Sequence, residues 1–335
     1  MDAQLSYTFS NLRFILALLV IYIHIDNDCP FTFSQLTGGG IWTMSYYGFN
    51  IIISQTIARL AVPIFFLMSG YLFFKNMHNM TLITYVEKLR KRVHTLIIPY
   101  FIWNIMAALF LVFVKHQETP SNFWNLICWI FVKPTNFPLW FVRDLIMLVL
   151  ISPFIFFIVK KYKAIIFGIF LLIYICYPNV TVGVVSIESF YFFSLGCAFA
   201  LWNFSVAQIP SIGRIVFYLL ALLLGVIMII TYGERNDHLF NLYLLIASIA
   251  LLAFIYHQDF KVSNTLVSSS FFVFASHRLG ITGIAKSIFV FIPDLMIRQT
   301  ISYLIAPIIV YVFCMVIYLF IKRISPSVAI IINGR

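Results

Sequence analysis

Apolar runs long enough to cross a lipid bilayer follow one another along almost the whole chain. A helix needs roughly 20 mostly apolar residues to cross a hydrocarbon core about 30 Å thick. Backbone groups inside a bilayer must bond within their own helix or within a closed barrel, so such runs predict helices. We expect an all-α, polytopic integral membrane bundle of about ten transmembrane helices, at residues 11–27, 49–74, 95–115, 139–159, 164–178, 186–203, 214–232, 239–257, 268–290 and 301–321.

The composition excludes an ordinary soluble domain. Hydrophobic residues make up 62% of the 335 residues and charged residues only 10%, whereas a typical soluble domain carries roughly 25% charged residues. The longest polar interval, residues 75–94, is about one short helix long. We therefore expect residues 1–335 to form a single integral-membrane domain without a separate soluble domain.

The basic residues predict the orientation in the membrane. The net charge of +11 would also suit a nucleic-acid-binding protein, but the lysines and arginines form short clusters between apolar runs, as cytoplasmic loops do. Thirteen of those outside the runs fall on one side of the predicted membrane and four on the other. We expect both termini in the cytoplasm, a multi-pass protein of the inner (plasma) membrane in contact with its lipids, and no nucleic-acid partner.

The cysteines do not indicate a disulfide framework or a metal site. There are five of them, an odd number, and no two have the C-x-x-C spacing of a zinc or redox motif. No H-x-x-x-H pair, glycine-rich phosphate loop or G-x-S-x-G elbow is present either. We expect no metal cofactor.

The first apolar run carries two polar side chains that are unusual inside a membrane helix. Arg13 and His24 are eleven residues apart, which places them about 16 Å apart along the helix axis and within roughly 20° of the same face. Ionisable groups in a membrane span usually face a bundle interior or a watered cavity, so this pair is a candidate site. In the alternative interpretation Arg13 only snorkels to a lipid headgroup and His24 only packs between helices.

A basic amphipathic segment follows the second run. Leucine and valine recur at helical spacing over residues 82–93, and Lys88, Arg90, Lys91 and Arg92 lie around them. This pattern is typical of a helix lying on the inner membrane surface. It serves either as a topology signal that touches anionic lipid or as a binding site for a phosphorylated ligand from the cytosol.

Further charged or polar residues lie within later runs. Arg59 is one, and Arg143 and Asp144 are adjacent, so their side chains point about 100° apart on a helix and we expect each to pair with another group. Residues 269–278 include three serines, His277 and an arginine, a composition that favours a helix facing the protein interior.

Five stretches taken together resemble one known family. NLRFILALLVIYIHI at 11–25 resembles the opening helix of the membrane acyltransferase-3 family, in which an arginine near the start is followed by a histidine near the end. Further resemblances follow in the same order as in that family: VPIFFLMSGYLFF (62–74), LRKRVHTLIIPYFIW (89–103), PLWFVRDLIMLVLISP (138–153) and FFVFASHRLGI (271–281).

The resemblance implies an acetyl-CoA-dependent O-acetyltransferase. Such an enzyme takes an acyl group, usually acetyl, from cytoplasmic acetyl-CoA and passes it to a hydroxyl of a cell-surface glycan or its lipid-linked precursor. By position, His24 is then the catalytic histidine and Arg13 its partner. The resemblance assigns Arg90 and Arg92 to acyl-CoA binding. His277 matches a histidine that recurs in a late span of that family.

The chemistry of acyl transfer agrees with these assignments. A histidine with a pKa of about 6.5 can remove the proton from an attacking hydroxyl. Such general base catalysis raises the rate roughly 10²- to 10⁴-fold. Asp28, four residues after His24, would fix the imidazole tautomer if the helix continues, and Arg13, Arg143 or Arg59 would stabilise the oxyanion if the spans converge. A route through an acetylated His24 uses the same residue. We assign Lys88 and Arg143, with Arg90, Arg92 and His277, to the donor side.

A transporter or flippase of a glycan or small polar substrate is the competing prediction. Its intramembrane arginines, histidines and aspartates would bind substrate or relay ions near the midplane. The sequence contains no symmetrical pair of broken helices, and the basic segment at 82–93 suits a phosphorylated donor better than a proton relay.

Overall fold

The chain is almost entirely helical. The computed structural model describes residues 3–25, 40–77, 79–118, 120 and 122–334. Its α-helices are α1 Ala3–Ile25, α2 Ile41–Phe49, α3 Ala61–Phe74, α4 Leu82–Arg92, α5 Ile98–Phe113, α6 Phe123–Ile127, α7 Trp140–Leu150, α8 Ser152–Cys176, α9 Ile187–Leu201, α10 Ser211–Ile230, α11 Asp237–Tyr256, α12 Asn264–Ser276, α13 Ile281–Ser287, α14 Leu295–Ile324 and α15 Pro326–Ile332.

Several helices are joined without a loop. A π-helical stretch, Asn50–Ile57, and a 3₁₀ turn, Ala58–Leu60, connect α2 to α3, and a second π-helical stretch, Val93–Ile97, connects α4 to α5. A third, Cys128–Val132, continues α6. The strands β1 Thr181–Val182 and β2 Val185–Ser186 pair antiparallel in a small hairpin. The all-α membrane class predicted from hydropathy is confirmed.

Six continuous helical segments within the described residues are long and apolar enough to cross a bilayer. They are Gln4–Ile25, Ile41–Phe74, Leu82–Phe113, Ser211–Ile230, Asp237–Tyr256 and Leu295–Ile324. The pair Phe137–Leu150 and Ser152–Cys176, bent by 64°, adds a seventh if it forms one span. These are fewer than the ten expected.

The difference arises where a predicted run is short or interrupted. α8 contains a backbone break at Lys163, whose φ is +46°, and this break lies between the predicted runs 139–159 and 164–178. α9 has only 15 residues. The run 268–290 is interrupted after α12, where Gly280 has a φ of +80°. Hydropathy averaged over a window of residues does not detect such breaks in the helix. The number of ten spans and the location of both termini in the cytoplasm stay predictions.

The opening helix α1 lies inside the bundle, in contact with α3, α11, α12 and α14. Buried Asn11, in the first half of the helix, is held because Nδ2 donates to the Phe260 carbonyl at 2.7 Å and Oδ1 accepts from the Val262 amide at 3.0 Å. Near the end of the helix, the Tyr22 hydroxyl donates to the Leu304 carbonyl at 3.0 Å. Hydrogen bonds from both halves of α1 therefore fix its position against the neighbouring segments.

Helices α3 and α9 approach each other closely because each has a glycine at the contact. A Cβ on Gly70 would lie 2.1 Å from the Phe193 carbonyl oxygen, and a Cβ on Gly196 would lie 2.1 Å from that of Leu67. Small residues at a membrane helix interface permit such close packing. Gly70, in the stretch 62–74, thus permits the close approach of α3 and α9.

The expectation that Arg143 and Asp144 would not pair is wrong. Nη2 of Arg143 lies 2.8 Å from Oδ1 of Asp144, and Nε lies 3.1 Å from the same oxygen. The arginine side chain is long enough to fold back across the 100° between neighbouring positions. Asp144 is 1% exposed, and a buried carboxylate requires a countercharge and hydrogen bonds.

The amphipathic helix expected at 82–93 is present as α4, and its location on the membrane surface stays a prediction. Thr81 and Thr84 form a capping box at its start, and the apolar side chains of Leu82, Ile83 and Val86 are exposed. An exposed apolar side beside Arg90 and Lys91 is typical of a helix lying at a membrane interface.

Candidate active site

Two histidines from distant parts of the chain lie against each other. His24 is at the end of α1 and His277 directly follows α12. Their rings are stacked, with centroids 5.3 Å apart and planes inclined by 27°. Phe137 contacts His24 edge-on, at a centroid distance of 6.0 Å. The structure thus brings together the two histidines that the sequence placed more than 250 residues apart.

The hydrogen bonds distinguish the two rings. Nδ1 of His277 lies 2.7 Å from the Phe274 carbonyl oxygen, so this nitrogen carries a proton and Nε2 has the lone pair in the neutral ring. Nε2 of His277 and Nδ1 of His24 are buried without a hydrogen-bond partner among the described residues. His277 is 0% exposed, whereas the His24 ring lines a cavity. Only His24 is therefore placed to meet a ligand.

The His24 cavity has a volume of about 1040 Å³ and combines both signs of charge. Gln55, Arg59 and Glu188 line it. Nη2 of Arg59 donates to Oε1 of Gln55 at 2.5 Å, while its buried Nε has no hydrogen-bond partner among the described residues. The charge of Arg59 acts on the His24 ring and also on Glu188. A guanidinium, a carboxylate and an amide are thus presented near the imidazole.

Aromatic residues complete the wall of the His24 cavity. They include Trp140, Tyr174, Tyr177, Tyr232 and Phe240. At the same wall, the Arg235 guanidinium carbon lies 3.8 Å from the centroid of the Phe240 ring, and Nη2 of Arg235 lies 3.6 Å from Oδ1 of Asp237. Aromatic faces beside alternating hydrogen-bond donors and acceptors suit a ligand that carries both C–H faces and hydroxyls.

A second, smaller cavity of about 260 Å³ contains Arg13 and is called the Arg13 cavity. Arg92 also lines it, with Ser268, Ser270 and Asn333. The positive charges of Arg13 and Arg92 act on each other. Two cations at one cavity favour an anionic ligand, and arginine binds phosphate through two parallel hydrogen bonds.

The end of the described chain helps to build the Arg13 cavity. Oδ1 of Asn333 accepts from the Phe272 amide at 3.0 Å, and its Nδ2 donates to the Ser268 carbonyl at 2.8 Å. Nε1 of Trp103 donates to the Ile332 carbonyl at 2.8 Å. The short helix α15 is thereby tied to α5 and α12, and Asn333 and Gly334 form part of the cavity wall.

Of the basic residues expected to bind the donor, only Arg92 on α4 reaches a cavity. The Lys88 ammonium donates to the Phe73 carbonyl and lies over the Phe73 ring. Arg90 is exposed and is absent from the residues that line the two cavities. Helical spacing explains this division, since Arg90 and Arg92 are separated by about 200° around the axis.

The remaining predicted residues have different locations. Arg143 lines neither cavity; in addition to Asp144, it donates to the Val132 and Val184 carbonyls, both at 2.8 Å. Arg13 and His24 share a helix face but line separate cavities. Asp28 lies outside the described residues.

Sequence reasoning missed the roles of Gln55 and Glu188 in the His24 cavity. Arg59 and Glu188 did carry a signal, because one is a cation inside an apolar run and the other an acid at the start of one. Gln55 carried no comparable signal. No group of three or more His, Cys, Asp or Glu side chains able to hold a metal ion occurs in the described part of the chain.

Comparison with known proteins identifies the family of the chain. The chain matches the model of the acyltransferase-3 family, described as an acyltransferase domain, over residues 7–324. It is 23% identical over 177 residues to the succinoglycan biosynthesis protein ExoH of Rhizobium meliloti (strain 1021), a match that covers 48% of this chain and 45% of that protein. The chain thus spans less than half the length of this relative.

No solved structure matches this chain. The family assignment therefore depends on the sequence match, which extends over nearly all the described helices and includes His24, His277, Arg13 and Arg92. The resemblance noted in five stretches of the sequence is confirmed. The chain belongs to the acyltransferase-3 family, and its long apolar helices are those of a multi-pass membrane protein.

Proposed function

We propose that the protein is an O-acetyltransferase that moves an acetyl group from cytoplasmic acetyl-CoA to a hydroxyl of a cell-surface glycan or of its lipid-linked precursor. One observation carries the proposal above all others. The imidazole of His24, at the end of α1, lines a large cavity, while Arg13, in the first half of the same helix, lines a separate cationic cavity. An anionic donor and a hydroxyl acceptor thus have separate sites along α1, and the catalytic base lies in the acceptor site.

The Arg13 cavity is the proposed site of the donor. Coenzyme A carries phosphate groups, and Arg13 and Arg92 supply guanidinium groups that bind them through charge-assisted hydrogen bonds. Ser268, Ser270 and Asn333 add polar contacts at the same wall. The thioester end of the donor then points along α1 toward His24, which lies about 16 Å further along the helix.

The His24 cavity is the proposed site of the acceptor. Its balanced charges, from Arg59, Glu188, Arg235 and Asp237, suit a neutral polyhydroxyl compound better than a strong anion. Its aromatic side chains offer faces for the C–H surface of a sugar ring. The relative ExoH is named for succinoglycan biosynthesis, and this name supports a polysaccharide or its precursor as the acceptor.

The proposed reaction moves one proton twice. His24 takes the proton of the acceptor hydroxyl while the hydroxyl oxygen attacks the thioester carbonyl, and a tetrahedral oxyanion forms. The C–S bond then breaks, and the protonated His24 returns its proton to the leaving thiolate. Arg59, which lines the same cavity, stabilises the oxyanion, and His277 holds the orientation of the His24 ring by stacking on it.

The placement of the protein in the membrane completes the proposal. The distribution of lysine and arginine puts both termini and the Arg13 cavity on the cytoplasmic side of the inner (plasma) membrane. The His24 cavity then opens toward the outer side, where glycans are assembled. The proposal includes ten helical spans, some of them short or broken, and a single domain over residues 1–335.

Purified protein in liposomes provides the test. Labelled acetyl-CoA and a glycan extract from the cell envelope are supplied on opposite sides, and acetylated glycan is measured by mass spectrometry. The proposal expects acetyl transfer that disappears in His24→Ala. Flux of glycan across the membrane without acetyl-CoA, and no acetylated product, would instead identify a transporter.

A further inference from the structure

Two phenylalanines line both the His24 cavity and the Arg13 cavity. Among the described residues, only Phe141 and Phe274 belong to the walls of both. Their rings meet edge to face, with centroids 6.0 Å apart and planes inclined by 81°. The two cavities therefore share the contact between these two side chains as a common part of their walls.

Each of these rings belongs to a different helix and rests against further aromatic rings. Phe141 on α7 contacts Phe65 and Phe66 of α3, at centroid distances of 5.6 and 4.6 Å. Phe274 on α12 lies 6.2 Å from Phe271 and 6.4 Å from the ring of His277. Phe274 thus links the contact between the cavities to the stacked histidines.

The contact is weak enough to open and close during a reaction. An edge-to-face aromatic pair shifts an equilibrium by only about two- to tenfold. Neither ring has a polar group that would hold the closed arrangement through a hydrogen bond. A path between the cavities at this contact requires the rotation of these side chains.

We propose that Phe141 and Phe274 form a gate through which the acyl-thioester end of the donor passes from the Arg13 cavity to His24. The closed gate prevents water from passing between the two cavities. The width of the open gate admits small acyl groups in preference to long ones. The role of the donor in this inference depends on the proposed function. The existence of a barrier between the cavities does not.

A labelling experiment tests the barrier without requiring activity. Ile23 lines the His24 cavity, so Ile23→Cys is made in a protein whose five native cysteines are replaced by serine. A small anionic methanethiosulfonate is then applied to vesicles from the side of the Arg13 cavity. With both phenylalanines present, we expect little reaction; in Phe141→Ala/Phe274→Ala, we expect reaction about tenfold faster, the effect of one lost aromatic contact.

A matched variant controls for loss of ring volume elsewhere. Phe170→Ala removes a ring that packs between Phe167 and Phe190, away from both cavities, and it is expected to leave the labelling rate unchanged. Equal labelling of the protein with and without Phe141 and Phe274 would show that these rings form no barrier and would overturn the gate.

The acyl specificity tests the second part of the inference. Acetyl-CoA, butyryl-CoA and hexanoyl-CoA are compared in the liposome assay. We expect Phe274→Ala and Phe141→Ala to raise kcat/KM for hexanoyl-CoA relative to acetyl-CoA about tenfold or more, since each methylene that enters an apolar space contributes about fourfold. An unchanged ratio in both variants would exclude selection by the gate. Failure of the unsubstituted protein to transfer acetyl would refute the proposed function, and the labelling result would still decide whether the gate exists.

Discussion

The two cavities differ in size and in charge, although α1 contributes to both. The His24 cavity is about 1040 Å³ and its lining includes two arginines, a glutamate and an aspartate. The Arg13 cavity is about 260 Å³, and the described residues that line it include two arginines and no acid. One site thus has balanced charges and the other has an excess of positive charge.

In the proposed function, this difference lets one helix serve two chemically unlike ligands. A cavity with an excess of positive charge recognises phosphate at a distance, whereas a balanced one recognises hydroxyl groups through individual hydrogen bonds. Because the two sites lie at different depths along α1, a ligand bound in one does not occupy the other. The comparison gives predictions that separate the effects of substitutions in each cavity.

The largest effect is expected from His24→Ala. Loss of the base should lower kcat by about 10²- to 10⁴-fold, while the amount of protein in the membrane stays the same. Initial rates of acetyl transfer and quantitative blotting of membranes measure the two quantities. His257→Ala, which removes an exposed histidine that contacts Arg214, is the control; comparable activity of His24→Ala and His257→Ala would contradict the assignment.

A smaller effect is expected from Arg92→Ala, and it should concern the donor only. A hydrogen bond to a charged group contributes about 1.5–3 kcal/mol, so KM for acetyl-CoA should rise about tenfold to a hundredfold. KM for the glycan should not change. Lys91→Ala removes an exposed cation from the same helix and serves as the control. A rise in the KM for glycan in Arg92→Ala would show that the two cavities are not functionally distinct.

Arg59→Gln should affect the acceptor instead of the donor. Arg59 and Gln55 lie in the His24 cavity, so the substitution should raise KM for the glycan, lower kcat by about tenfold through loss of one charged donor, and leave KM for acetyl-CoA unchanged. Steady-state kinetics with each substrate varied in turn measures these effects. An increase confined to the KM for acetyl-CoA would reverse the roles of the cavities.

The smallest effect on activity is expected from Lys88→Met. Its ammonium group bonds the Phe73 carbonyl at the end of α3 rather than lining the Arg13 cavity. Loss of this charged hydrogen bond should destabilise the protein by about 1.5–3 kcal/mol, with a much smaller change in the KM for acetyl-CoA than Arg92→Ala produces. Thermal unfolding in detergent and donor kinetics measure the two effects; an equal rise in KM for both variants would place Lys88 in the donor site.

The residues that sequence analysis located well are those whose chemistry conflicts with their surroundings. Arg13, Arg59 and His24 stand out because an ionisable group in an apolar run requires an explanation. Each of them lines a cavity in the structure. Gln55 could not be found in this way, since a polar uncharged side chain in a long helix has many ordinary roles.

The residues that sequence analysis assigned less well depend on distances between helices. Arg143 was grouped with the donor site, yet it forms an ion pair with Asp144, and Lys88 bonds the end of α3. A residue type predicts what a side chain is able to bind. It does not predict which of several available partners the fold places beside it.

The sequence by itself determined the membrane class, the positions of most helices and the shared face of Arg13 and His24, because hydropathy and helical periodicity are properties of neighbouring residues. It also determined the family, through the resemblance of five stretches. Only the tertiary structure decided that His277 stacks on His24, that Arg92 joins Arg13, and that Phe141 and Phe274 line both cavities. Each of these contacts joins helices that are far apart in the chain, and packing among helices is determined by the complementarity of whole surfaces rather than by any local pattern.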